Sequence, residues 1–121
     1  MASRFTELCI DCSDPLRLAE FWSGVLGYEN DGPDEDGIVA LKGPEGSGPL
    51  LLFAKVPEKK TVKNRLHIDV NPTDRKQAEE VERILALGAT HADVGQGDDV
   101  SWVVLADPEG NEFCVLRSRQ G

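Results

Sequence analysis

With 22 acidic against 13 basic side chains and a formal net charge of −9, the 121-residue chain cannot offer the clustered Lys and Arg that a phosphate backbone needs, which excludes nucleic acid as a partner. Its length suits one core, 40% hydrophobic and 29% charged residues describe a globular chain, and no apolar run approaches the roughly 18 residues of a membrane span. Three cysteines make no even disulfide set, and the N-terminus lacks a signal peptide's basic and apolar regions, so the expectation is one cytosolic domain, residues 1–121, with no membrane partner.

Residues 4–12 alternate as a half-buried strand, with Leu8 and Ile10 on one face and Phe5, Glu7, Cys9 and Asp11 on the other. Ser13-Asp14-Pro15 supplies a cap residue and then a proline where a missing N–H costs nothing. Leu18, Phe21, Trp22, Val25 and Leu26 recur at helical spacing, and Gly27 stands where a helix ends through a left-handed residue. The acidic run from Glu29 to Gly37 reads as a solvated loop, with room for a short strand before Ile38. Two strands, 38–42 and 50–56, flank turn chemistry from Gly43 to Pro49. Module one therefore spans 4–56, and the lysine-bearing stretch 57–64 reads as a soluble linker, with a pull of its lysines on anionic ligands as the alternative.

The pattern then restarts. Residues 64–70 alternate, with Leu66, Ile68 and Val70 on one face and Arg65, His67 and Asp69 on the other, which suggests a sheet whose polar face lines a hollow. His67 to Asp74 lies over Glu7 to Asp14 at an offset of 60. Ala78, Val81, Ile84 and Leu85 give a second amphipathic helix, Asp74 with Gln77 resembles a capping box, and Leu87-Gly88 repeats Leu26-Gly27. Arg75 with Glu79 and Lys76 with Glu80 stand at i, i+4 on the face read as solvated. His91 falls in the following loop. Val103 to Gly110 echoes Val39 to Gly46 with five of eight positions identical, so module two spans 65–118 as a second copy of one unit.

A β-α-β-β-β unit used twice, with Ser-Asp-Pro opening the first helix, Phe-Trp-x-x-Val-Leu-Gly-Tyr closing it and Asp107-Pro-Glu-Gly-Asn-Glu-Phe before the last strand, resembles the vicinal oxygen chelate superfamily. That superfamily includes glyoxalase I, bleomycin-resistance proteins and extradiol dioxygenases. Lys63 to Asp69, with Asp107 to Cys114, looks more narrowly like its glyoxalase-like proteins, most of them without an assigned reaction. The resemblance covers nearly the whole chain. It implies an α+β fold, two βαβββ modules in pseudo-twofold arrangement forming a half-open barrel around a small-molecule cavity, and a homodimer.

Metal-dependent relatives hold a divalent ion with one residue from each of four inner strands. Aligned on the strand-end caps, Glu7 takes the first position and His67 the third, Cys114 falls where the last Glu belongs, and the second lies near Leu52 or Ala54. Glu7 and His67 are thus the metal candidates, but such a set is poor for Mg, Mn or Ni, and no cofactor is expected. Instead Glu7 and His67 form the candidate acid/base pair, since histidine titrates near neutrality, and the reading is a metal-independent lyase or isomerase acting on a small polar metabolite. A ligand-sequestering protein of bleomycin-resistance type is the alternative, and a divalent-metal-dependent glyoxalase or dioxygenase the second. Trp102, after a loop at 95–99, suits stacking on a flat ligand, with Asp69 and Cys114 as further ligand-binding candidates. Against each role stands plain packing, which Trp22 is assigned outright. Cys9 and Cys12 match Cys-x-x-Cys by letters, but an offset of three on a strand sends them to opposite faces. Asp107 to Asn111 is read as a turn.

Overall fold

The computed structural model describes residues 2–92 and 102–117. The chain divides into two compact units, one ending at Lys59 and the other beginning at Lys60, each with its own sheet and helix. Strand β1 (Glu7–Cys12) opens the first unit, followed by α1 (Pro15–Leu26), β2 (Glu29–Pro33), β3 (Val39–Lys42) and β4 (Leu50–Lys55). The second runs β5 (Ile68–Val70), α2 (Gln77–Leu87), β6 (Thr90–His91), β7 (Val103–Ala106) and β8 (Glu112–Val115). The sheets are ordered β1-β4-β3-β2 and β5-β8-β7-β6, each with one parallel pair, β1 with β4 and β5 with β8. The fold is α+β, one βαβββ topology used twice.

In the first unit α1 packs on β2, β3 and β4, burying Leu18, Ala19, Phe21, Trp22 and Val25. The Phe21 and Trp22 rings meet edge to face at 5.3 Å, and Leu41 and Phe53 from the sheet are fully buried. The helix begins where the sequence places it: the Asp14 carboxylate accepts from the Arg17 N–H at 3.2 Å, ahead of Pro15. It ends at Gly27, whose φ of 72° lets its N–H reach the Ser23 carbonyl at 2.8 Å. Cys9 is exposed and Cys12 buried, as opposite strand faces require. The stretch read as a loop with room for a short strand before Ile38 contains that strand, β2. An edge strand needs only one partner, and the register against β3 slips between Asn30 and Pro33, where a bulge accommodates Gly32 and Pro33.

Several local expectations fail in the second unit, some to a neighbour along the chain and one to a distant strand. Helix α2 begins at Gln77 with Lys76 as its cap residue. Asp74 is engaged by Arg75 Nε at 3.0 Å, and Gln77 donates to the Val115 carbonyl of β8 at 3.0 Å, so the two form no capping box. Glu79 supplies half of one instead, accepting from the Lys76 N–H at 3.1 Å. Glu80 is buried rather than solvated, held by Arg83 through two bonds of 2.8 and 2.7 Å, while Ala78 is exposed. The buried stripe is therefore Glu80, Val81 and Ile84. Leu66 is 81% exposed, because ladder pairing begins only at Ile68, and His91 sits in β6, paired with Leu105. The loop read at 95–99 lies outside the described residues. Among the described residues no helix is long and apolar enough to cross a membrane.

Candidate functional site

The site grows from the parallel pair of β5 and β8. Asp69 stands opposite Cys114, and Cys114 opposite Val104 of β7, so one row of side chains crosses three strands. Because side chains on a strand return to the same face every second residue, this row continues to His67 and Glu112 on one side and to Trp102 and Leu116 on the other. These residues, with Lys63, line a pocket of about 290 Å³ in the second unit. Trp102, Val104 and Leu116 give it apolar surface and Lys63, His67, Asp69, Glu112 and Cys114 its polar groups, a mixture that suits a small molecule.

His67 Nε2 lies 3.1 Å from Asp69 Oδ1, and both side chains are about half exposed. Asp69 also approaches Cys114, whose thiol is pushed up by burial, by the Asp69 charge and by a hydrogen bond to it, against a smaller opposite pull from Lys63. Cys114 is thus held as a thiol rather than a nucleophilic thiolate. One donor atom each from His67, Asp69 and Cys114 falls within 4.8 Å of the others, a grouping that could receive a metal ion.

A wall of the pocket comes from the stretch read as a linker. Lys60 Nζ meets Glu112 Oε2 at 2.9 Å, and the Asn64 N–H donates to Glu112 Oε1 at 3.1 Å. Burial raises the Glu112 carboxyl, but these two partners together with its own backbone N–H outweigh it and hold it below the ordinary carboxylate range. Asn64 Nδ2 also donates to Asn111 Oδ1 at 2.8 Å. Asn111 is fixed in turn by buried Asp107, which accepts from the Glu109 and Asn111 N–H groups and from Asn111 Nδ2. Gly110, at φ 89°, closes this turn. The Asp107–Asn111 turn thus anchors residues 60–64 against the start of β8 and places Lys63 on the pocket.

Of the residues singled out from sequence, His67, Asp69, Trp102 and Cys114 come together in this pocket. Glu7 belongs to the other unit, exposed on β1 opposite Leu50. Lys60, Lys63, Asn64 and Glu112 were missed as site residues. Two signals pointed to them: Glu112 shares the alternating face of Cys114 and Leu116, and the lysines cluster immediately before β5.

A family model described as "Glyoxalase-like domain" matches residues 7–116. No curated protein sequence matches the chain. Solved structures do: two of the fosfomycin resistance protein FosX from Listeria monocytogenes superpose with TM-scores of 0.74 and 0.72 at 15% and 14% identity, over 99% of this chain and 94% of that one. One of them, a mutant, is a complex with Mn(II) and 1S,2S-dihydroxypropylphosphonic acid. A glyoxalase/bleomycin resistance protein/dioxygenase family enzyme from Burkholderia phytofirmans PsJN matches with TM-score 0.66 and 20% identity over 93% of this chain and 97% of its own.

Proposed function

The chain belongs to the glyoxalase-like domain family of the vicinal oxygen chelate superfamily, and we propose that it is a metal-independent lyase or isomerase acting on a small polar metabolite. The observation that carries this reading is the His67–Asp69 pair at 3.1 Å in the lining of the second-unit pocket. With Nε2 turned to the Asp69 carboxylate, Nδ1 is left to take a proton from a ligand. A carbon acid beside a carbonyl gives its proton to Nδ1 and receives it back at a neighbouring atom in an isomerisation. A lyase loses a leaving group instead. Glu7, at the position in the first module that matches His67 in the second, is the second acid/base group of this reading.

A melting screen against small polar metabolites, followed by NMR of the hits in D2O, tests it. Deuterium uptake or product formation should fall by about 10² or more in His67→Ala and in Glu7→Gln, with the fold retained. Full turnover in both variants overturns the reading, and retention in Glu7→Gln alone restricts the chemistry to the second unit. Hits that bind without exchange or product favour ligand sequestration.

The grouping of His67, Asp69 and Cys114 favours a second reading, a divalent metal held by those three side chains. The donors mix soft sulfur with hard oxygen, and the thiol would have to surrender a proton that burial and Asp69 hold in place. They suit zinc better than Mg or Mn; bound there, zinc would supply a Lewis acid. Elemental analysis of untagged protein by plasma mass spectrometry, after dialysis against Mn, Ni, Zn and Fe, decides between the readings: near-stoichiometric metal that vanishes in His67→Ala establishes the second.

A further inference from the structure

We infer that the second-unit pocket takes a small monoanionic carboxylate, with Lys63 as its counter-charge and Trp102, Val104 and Leu116 as the bed for an apolar body. This rests on the ligand-binding part of the function proposed above and not on its chemistry. Most charges on the pocket are already engaged. Glu112 is satisfied by Lys60 and by the Asn64 N–H, and Asp69 faces His67. Among the described residues, the ion pairs engage Lys60, His67, Arg75 and Arg83 but not Lys63. The Lys63 ammonium makes one hydrogen bond, a long one of 3.3 Å to the neighbouring Asn64 carbonyl.

The local field therefore departs from the global one. Two lysines balance two carboxylates around this pocket, in a chain whose net charge is −9. One cation with a replaceable partner matches one negative charge, whereas a dianion would face Asp69 and Glu112 with too little compensation. Lys63 is also held in place by its neighbours, since Asn64 is tied to both Glu112 and Asn111, so less side-chain and loop ordering is left for the ligand to offset. The bed is apolar, with Trp102 39% exposed and able to stack on a flat ring.

The test uses the full chain with sodium benzoate and its neutral counterpart benzamide, read by tryptophan fluorescence at neutral pH and low salt. Trp22 is only 2% exposed, so quenching by a ligand reports on Trp102. Benzoate should quench saturably, and benzamide should bind about tenfold more weakly or worse. Lys63→Met should weaken benzoate by about tenfold, while Lys63→Arg stays within about threefold of the parent. Equal binding of benzoate and benzamide, an unchanged benzoate affinity in Lys63→Met, or no saturable quenching by benzoate overturns the inference. Turnover is not read, so failure of the acid/base proposal leaves this result standing.

Discussion

The two units use one order of elements and one sheet topology, but their equivalent parallel strand pairs carry different chemistry. In the first, Glu7, Cys9 and Asp11 of β1 stand opposite Leu50, Leu52 and Ala54 of β4. In the second, Asp69 of β5 stands opposite Cys114 of β8, with Glu112 and Leu116 on the same face. The acidic side chains of β1 lie beside aliphatic neighbours and are exposed, whereas Asp69 of the second unit meets His67 two residues before it and Glu112 meets Lys60 and Asn64 from the stretch ahead of β5. A duplicated scaffold thus fixes where side chains point, and the partner strand decides whether they become a site. The helices differ in the same way: α1 carries its own side-chain cap, and α2 leans on contacts to the sheet through Gln77.

The comparison breaks first at the cores, where the largest effects are expected. Phe53 and Phe113 are 0% and 1% exposed in their respective sheets. Phe53→Ala and Phe113→Ala should each cost about 3–5 kcal/mol by urea unfolding. A much smaller cost for one would show that its unit contributes little to the cooperative fold.

A smaller effect distinguishes the pocket wall. Glu112→Gln should cost on the order of 1–3 kcal/mol, since it weakens a charged hydrogen-bond pair that is mostly buried. The parent also carries a pH signature. Because the folded state holds the Glu112 carboxyl below its ordinary range, that contribution is present above the unfolded-state pKa and is lost as pH falls through the lower, folded-state one. Melting temperature against pH should therefore fall less steeply in Glu112→Gln than in the parent across that acid window. Identical slopes would mean that Lys60 and Asn64 do not hold the carboxylate.

The caps give the smallest and most symmetric test. Asp14→Ala should destabilise by about 1 kcal/mol, and Lys76→Ser, at a cap position of extended backbone with no side-chain acceptor, should stabilise by about 0.5–1 kcal/mol. A shift of the same sign in both, read by thermal melting, would contradict the difference between the two helix starts.

What the sequence determined by itself is everything that depends on neighbours along the chain. The cap at Asp14-Pro15, the left-handed stop at Gly27, the turn from Asp107 to Gly110, the opposite faces of Cys9 and Cys12, and the repeat that joins them into two βαβββ units all follow from local sterics and periodicity. Candidate residues His67, Asp69, Trp102 and Cys114 were legible for the same reason, since alternation fixes a strand's faces. Tertiary structure decided what depends on partners far away in sequence. Glu29 to Pro33 became a strand because β3 offered it an edge, Leu66 stayed exposed because no strand pairs there, and Gln77 turned to the Val115 carbonyl of β8. Residues 60–64 became a pocket wall because Glu112 and Asn111, about fifty positions later, supply the charge and hydrogen bonds that hold them. Period and propensity describe one segment at a time, and a hydrogen bond between distant segments appears only when the sheet brings its two ends together.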